Sequence, residues 1–233
     1  MKGRDVKTKR ARKSWEEVAA LQNYEDPANR ILMGPHTAFQ YRTDAKHLCF
    51  ILSRYKFCSK LLAERRAVLE VGCGDAFGTP IVAQAVESLT AVDWDSLLIA
   101  SACERLAFVE NCTFRRHDII EGPINGAFDG IYSVDVIEHI EPSMEGIFMT
   151  NCCAALTIDG MFIAGTPNVK AEAYASPSSK TGHINLKDAV GLKQLFSKYF
   201  RTVLLFSMND EIVHTGFYNM AHYLFAVGVG LRE

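Results

Sequence analysis

Apolar residues fall along this chain in short runs, and stretches of helical spacing separate the runs. The runs at 67–71, 89–93, 112–116, 128–134 and 160–164 are short, and most are rich in aliphatic and aromatic residues, so each is expected to be a strand. Between them, Leu97, Leu98, Ala102, Leu106 and Val109 mark a helical face over residues 95–108, and residues 143–156 also read as helix. Ahead of the first strand, residues 14–62 read as helical. Ser14 with Glu17 three residues on has the form of a capping box, residues 23–29 are a polar break, and Gly34-Pro35 is a turn. Residues 45–62 then carry Leu48, Leu52, Tyr55, Ser59 and Leu62 near helical spacing. Residues 166–185 change to Pro, Ser, Asn, Gly and Lys and read as a long loop. A helix at 186–196 and strands at 202–207 and 214–229 complete the pattern. The rhythm specifies an α/β fold, a doubly wound parallel sheet with helices on both faces. Ligands of such sheets bind beyond the strand C-terminal ends. Glu70, Asp93, Asp118 and Asp135 all fall at such ends.

Composition narrows the class. At 233 residues and 48% hydrophobic, the chain is long enough for one α/β domain with additions. The net charge of −2 hides an uneven distribution, because seven of the 25 basic residues lie within residues 1–13 against one acid, Asp5. That tail reads either as a contact for RNA or an anionic surface, or as a solvated, disordered terminus; the acidic remainder favours the second. Residues 14–233 are expected to form one domain, with 14–62 as a helical cap. The seven cysteines include no C-x-x-C pair and fit small core residues in a reducing compartment. No signal peptide is visible, and the apolar run 221–229 is too short to cross a bilayer, so a soluble cytoplasmic protein is expected.

The stretch Glu70-Val71-Gly72-Cys73-Gly74 ends the first strand in glycines and leads into Thr79-Pro80, the start of a helix. A strand, a glycine turn and a helix bring a ligand against bare backbone. A dinucleotide would want a third glycine at position 77, which is Phe77, and Glu70 is a poor neighbour for a pyrophosphate. The stretch instead resembles the first motif of class I S-adenosylmethionine-dependent methyltransferases, with Ala76 where many members have a third glycine. The resemblance covers residues 67–165 and is looser beyond. It implies a Rossmann-like, mostly parallel seven-stranded sheet whose last two strands pair as an antiparallel hairpin at the C-terminal edge. It also implies a cofactor set: Glu70, Gly72, Cys73 and Gly74 at the turn, with Glu70 suited to a ligand bearing an ammonium group. Asp93 would accept both ribose hydroxyls, Trp94 would lie against the adenine, Asp118 and the Ile119 N–H would meet its edge, and Ser133 would complete the set. Helices before the first motif cover the active site in this family, which would turn His36, Tyr41 and Arg42 toward substrate; packing or solvation of these three is the alternative.

The stretch Ser133-Val134-Asp135-Val136-Ile137-Glu138-His139 resembles the fourth motif of small-molecule O-methyltransferases, including the ubiquinone-biosynthesis type. His139 is suited to deprotonating a hydroxyl near neutral pH, or else to a positioning role. Asp135, Glu138 and His139 stand at i, i+3 and i+4 and would share a face of a helix able to hold a divalent cation. Asp135 is shorter than the Glu of the ubiquinone-pathway enzymes, so no metal ligand is assigned. His183 follows a Thr-Pro-Asn, Thr166-Pro167-Asn168, as in relatives that methylate sugars or lipid-linked precursors, and could line the acceptor pocket. The expected activity is methyl transfer from S-adenosylmethionine to a hydroxyl of a sugar, nucleotide-sugar or polysaccharide precursor. The expected partners are a small-molecule acceptor and a second copy of the chain in a homodimer. Nucleic acid is disfavoured, because neither Asn-Pro-Pro-aromatic nor a Pro-Cys nucleophile occurs. A methyltransferase of RNA or protein, or a non-catalytic cofactor-binding protein, is the alternative.

Overall fold

The structure is a computed structural model and describes residues 14–23 and 25–232. The basic tail, residues 1–13, lies outside the described residues. The chain divides after Met33 into two units. In the first, a helix over 14–22 (α1) precedes a single 3-10 turn at Pro27–Asn29, and the Asn29 side chain donates to the carbonyls of Gln22 and Asn23.

The second unit, from Gly34 onward, holds an eight-stranded sheet. Its strands are β1 (Val68–Val71), β2 (Leu89–Asp93), β3 (Cys112–Arg116), β4 (Phe128–Val134), β5 (Leu156–Pro167), β6 (Phe200–Asn209), β7 (Ile212–His214) and β8 (Tyr223–Leu231), in the order β3-β2-β1-β4-β5-β8-β6-β7. The first five pair in parallel, while β8 runs antiparallel to both β5 and β6. The doubly wound, mostly parallel sheet is therefore what the chain forms, with one strand more than the seven expected. Of the run expected as one strand over 214–229, only the part from Tyr223 forms β8: β7 ends at His214 and covers only the far end of β6, a 3-10 turn at Tyr218–Met220 follows, and β8 inserts between β5 and β6. Burial on both faces explains why β8 reads as an unbroken apolar run.

The helices are α2 (Pro35–Thr43), α3 (His47–Leu61), α4 (Thr79–Ala83), α5 (Ser96–Arg105), α6 (Glu145–Ala155), α7 (Pro177–Gly182) and α8 (Ala189–Ser197). On α3 the expected stripe is buried at Leu48, Tyr55 and Ser59, and Arg54 and Cys58 are buried with it. Asp95 starts α5 by accepting from the N–H groups of Leu97 and Leu98. That cap sets the phase of the helix: Ile99 and Ala102 face the core, whereas Leu97, expected inside, is 79% exposed. Residues 166–185 are also more ordered than a loop, with a 3-10 helix at Val169–Tyr174 and then α7, each capped by its own polar residue, Asn168 and Ser176. One apolar layer lies on each side of the sheet, built around Phe148, Phe162, Phe196 and Phe200 on one face and Tyr55, Leu62, Val82 and Tyr132 on the other. Among the described residues no helix is long and apolar enough to cross a membrane.

Candidate active site

The glycine turn after β1 is held by main-chain bonds to β2: the N–H groups of Gly72 and Cys73 both donate to the Val92 carbonyl, at 2.8 and 3.0 Å. Gly72 has φ +79, and a Cβ there would lie 2.3 Å from Val136. Gly74 has φ +55, and a Cβ on it would meet nothing within 4 Å. The turn thus offers bare backbone to open space at Gly74, the property a ligand-binding glycine needs. Asp93, at the end of β2, accepts from the Gly74 N–H at 2.8 Å through one oxygen and from the Asp95 N–H at 2.9 Å through the other. A carboxylate has about four acceptor sites, so two remain for ligand hydroxyls. The Asp93 carbonyl also fixes the end of β3 by accepting from the His117 N–H.

Asp118 accepts from the Ile120 N–H at 2.9 Å, so it holds its own turn as well as standing at the strand end. Ile119 packs in the core at 6% exposure, and its carbonyl accepts from the Asn151 side chain. Trp94 is 67% exposed immediately after β2, and Cys73 is buried. Two expected ligand contacts are enclosed instead. Glu70 is 1% exposed, because its side chain lies beneath the turn, where it accepts from Thr79 Oγ1 at 2.7 Å and faces the Tyr55 and Tyr132 hydroxyls. The Tyr132 hydroxyl approaches it without a well-aligned hydrogen bond. Burial pushes the Glu70 carboxyl up to about 7, against the lowering effect of Thr79 and the two tyrosines. Ser133 is 1% exposed and donates to the Val71 carbonyl at 3.0 Å, cross-linking β4 to β1.

Beyond β4 the chain does not continue as the helix that would align Asp135, Glu138 and His139. Asp135 takes φ +59, a turn that swings the chain sharply into a 3-10 segment, Ile137–His139. Asp135 is paired with Arg54 at 2.5 Å, and Arg54 lies over the Tyr223 ring, 3.9 Å from its centroid. What the structure does bring together is Glu138, His139 and His183, with one ligand atom from each within 4.8 Å of the others. His139 Nδ1 lies 2.9 Å from the Gly182 carbonyl. A carbonyl only accepts, so Nδ1 carries the proton, and in the neutral ring Nε2 is left as the proton acceptor. The His139 and His183 rings meet edge to face at 5.1 Å. Burial lowers the His183 pKa, and the neighbouring His139 lowers it further. Glu138 is fully buried; it accepts from Thr166 Oγ1 at 3.0 Å, and its other oxygen has no partner. Its carbonyl accepts from the N–H groups of Ile184 and Asn185, which is how His183 is drawn from 44 residues away to His139. Burial, with Asp135 second, pushes the Glu138 carboxyl up to about 8.

This donor set fits a divalent cation: two imidazoles and a carboxylate with a free oxygen suit manganese, iron or zinc better than magnesium. Arg54 was not visible as a site residue in the sequence; its one signal is a cation on the buried stripe of α3, four residues before Cys58. A groove of about 960 Å3 between α8 and β6 contains none of the residues above, so size alone does not locate the site.

Comparison with known proteins bears on the kind of domain. A family model described as a methyltransferase domain matches residues 68–160. A probable S-adenosylmethionine-dependent methyltransferase of Mycolicibacterium smegmatis is 29% identical over 119 residues, 49% of this chain and 44% of its own length. A probable S-adenosylmethionine-dependent methyltransferase of Mycobacterium tuberculosis is also 29% identical, over 42% of its length. The chain thus spans less than half the length of the curated relatives it matches. Among solved structures, the N-methyltransferase NodS of Bradyrhizobium japonicum, in complex with S-adenosylhomocysteine, superposes with a TM-score of 0.59 at 18% identity, covering 77% of this chain and 85% of that one. The methyltransferase domain of bacterial CtHen1-C gives 0.64 at 14% identity, covering 78% and 99%. These likenesses are of fold.

Proposed function

We propose that the chain is a class I S-adenosylmethionine-dependent methyltransferase and that it transfers a methyl group from S-adenosylmethionine to a hydroxyl of a small acceptor, a sugar, nucleotide-sugar or polysaccharide precursor. The observation that carries the reading is the open space at Gly74 beside Asp93, beyond the carboxyl ends of the parallel strands as is the Glu138–His139–His183 cluster. The cofactor supplies an activated methyl on a sulfonium. Gly74 lets its amino-acid and ribose portions reach the main chain, Gly72 makes room for Val136 beside the turn, and Asp93 accepts from the ribose hydroxyls with the two acceptor sites its backbone bonds leave open. Trp94 and the 118–119 turn flank the adenine. Glu70 acts from below, by keeping Thr79 and the turn in place.

A hydroxyl acceptor must lose a proton during transfer, whereas a neutral amine attacks through its lone pair. The tautomer of His139 supplies a base at Nε2, which favours oxygen as the methylated atom. His183 stands beside His139, and burial lowers its pKa, which favours the neutral ring. A second reading is favoured by the convergence of Glu138, His139 and His183: a divalent cation held there would lower the pKa of the acceptor hydroxyl.

The test is calorimetric titration with S-adenosylhomocysteine and, separately, with NAD. Micromolar binding of the first alone supports the reading, and no binding of S-adenosylhomocysteine sinks it. Asp93 also holds the Gly74 and Asp95 amides, so Asp93→Asn, with its fold checked by circular dichroism, is the informative variant. It should bind at least tenfold more weakly.

A further inference from the structure

The glycine turn is attached to α2 through one residue that the cofactor does not need to touch. Asp75 lies between Gly74 and Ala76, both in the left-handed region, at φ +55 and φ +58. Its carboxylate, 6% exposed, turns toward the first turn of α2, where one oxygen accepts from the Thr37 N–H at 2.8 Å and the other from Thr37 Oγ1 at 2.9 Å. The N-cap of α2 is Gly34, which has no side chain to bond those first amides. Asp75 supplies the missing cap from 38 residues away, and a carboxylate is the favourable group at a helix N-terminus. Gly34 also makes room, since a Cβ on it would stand 2.3 Å from Asp75 Oδ2. On the other side, Arg105 of α5 donates to the Asp75 carbonyl. The Gly74–Asp75 segment is thus gripped from β2 by Asp93, from α5 by Arg105 and from α2 by Thr37. A cavity of about 310 Å3 opens beside it, lined by Pro35, His36 and Phe39 of α2 and Leu98 of α5.

We propose that Asp75 and Thr37 are positioning residues for cofactor binding: they latch α2 to the glycine turn, so that occupancy of the turn and ordering of α2 stabilise each other. The inference rests on the methyltransferase reading above. The coupling is reciprocal, because a ligand that holds Gly74 in place also holds the cap of α2. It assigns α2 a task that exposed His36 and Phe39 do not reveal by themselves.

The experiment uses the full chain and S-adenosylhomocysteine. Affinity is measured by calorimetry, and amide hydrogen exchange over residues 35–43 is measured with and without ligand. In the wild type, ligand is expected to slow exchange in α2. Thr37→Val should weaken binding about tenfold and abolish most of that protection, and Thr37→Ser should restore both. Asp75→Ala should lose more, with circular dichroism and melting checked in each variant so that a collapsed fold is recognised. Wild-type binding with unchanged affinity and α2 protection in Thr37→Val overturns the latch alone. No binding by the wild type overturns the methyltransferase reading and the latch together.

Discussion

Arg54 on α3 reaches Asp135, immediately after β4, with a guanidinium–carboxylate contact of 2.5 Å across 81 residues of sequence. The two partners differ in solvent access: the Arg54 side chain is 7% exposed and that of Asp135 31%. Removing either leaves a lone charge, but the lone arginine is the more enclosed, and an uncompensated buried charge is the costlier outcome. Asp135→Ala should therefore destabilise more than Arg54→Met, by about 3–5 kcal/mol against about 2 kcal/mol, in urea denaturation. Equal losses would show that burial does not set the balance of this pair.

The buried acids give stability a pH dependence of definite sign. Glu70 titrates near 7 in the folded chain and in the ordinary carboxylate range near 4.3 when unfolded. The unfolded chain loses this proton first, so the contribution is fully present below pH 4.3 and is lost as pH rises toward 7, by at most about 1.4 kcal/mol per pH unit. Glu138, near 8, extends the decline. Urea denaturation at pH 5, 6, 7 and 8 should show Glu70→Gln gaining on the wild type across pH 5–7 and holding a constant margin above it. A margin that does not change with pH would contradict the assignment.

Ala76 is a buried alanine at φ +58, where the resemblance expects glycine. The left-handed conformation costs an L-residue about 1–2 kcal/mol, and glycine relieves it. Against that stands one buried methyl, worth roughly 0.8 kcal/mol. Ala76→Gly should be neutral to mildly stabilising, while Ala76→Val should lower the melting temperature by several degrees, because a β-branched side chain rarely adopts this region.

The three-residue donor cluster makes a separate prediction. Manganese or zinc should bind the wild type in calorimetry with one site, and His183→Ala should remove that site while leaving S-adenosylhomocysteine affinity within twofold. Retained metal binding in His183→Ala would separate His183 from any cation and leave it as a pocket wall.

The strands that set this site were readable because their signals are local. The largely aliphatic run 68–71, the glycines after it and an acid at or just beyond the ends of β2, β3 and β4 are properties of adjacent residues. Their ordering follows from the handedness of parallel connections. What escaped the sequence is pairing at a distance. Nothing near Asp135 announces Arg54, and nothing near Gly34 says that its helix is capped by Asp75. Glu70 and Ser133 have the right types at the right positions, but which way a strand residue faces depends on layers added later in the chain. The diversion of Asp135 from its expected partners, Glu138 and His139, follows from one backbone angle that no spacing rule carries. The β7 strand and the short helices within 166–185 are three to six residues long, too short for periodicity to register.

The place of β8 bears on how the molecule comes into being on the ribosome. It is the last strand described, yet it sits inside the sheet, between β5 and β6. While residues 223–231 are still in the exit tunnel, β5 and β6 have no common neighbour, and each presents an unsatisfied edge. The half of the sheet from β3 to β5 can assemble as soon as those strands emerge, but closure waits for emergence of β8. A nascent chain stalled before residue 223 should be captured by chaperones and cut readily by protease in the segment after β5, and one in which residues 223–231 have cleared the tunnel should resist both.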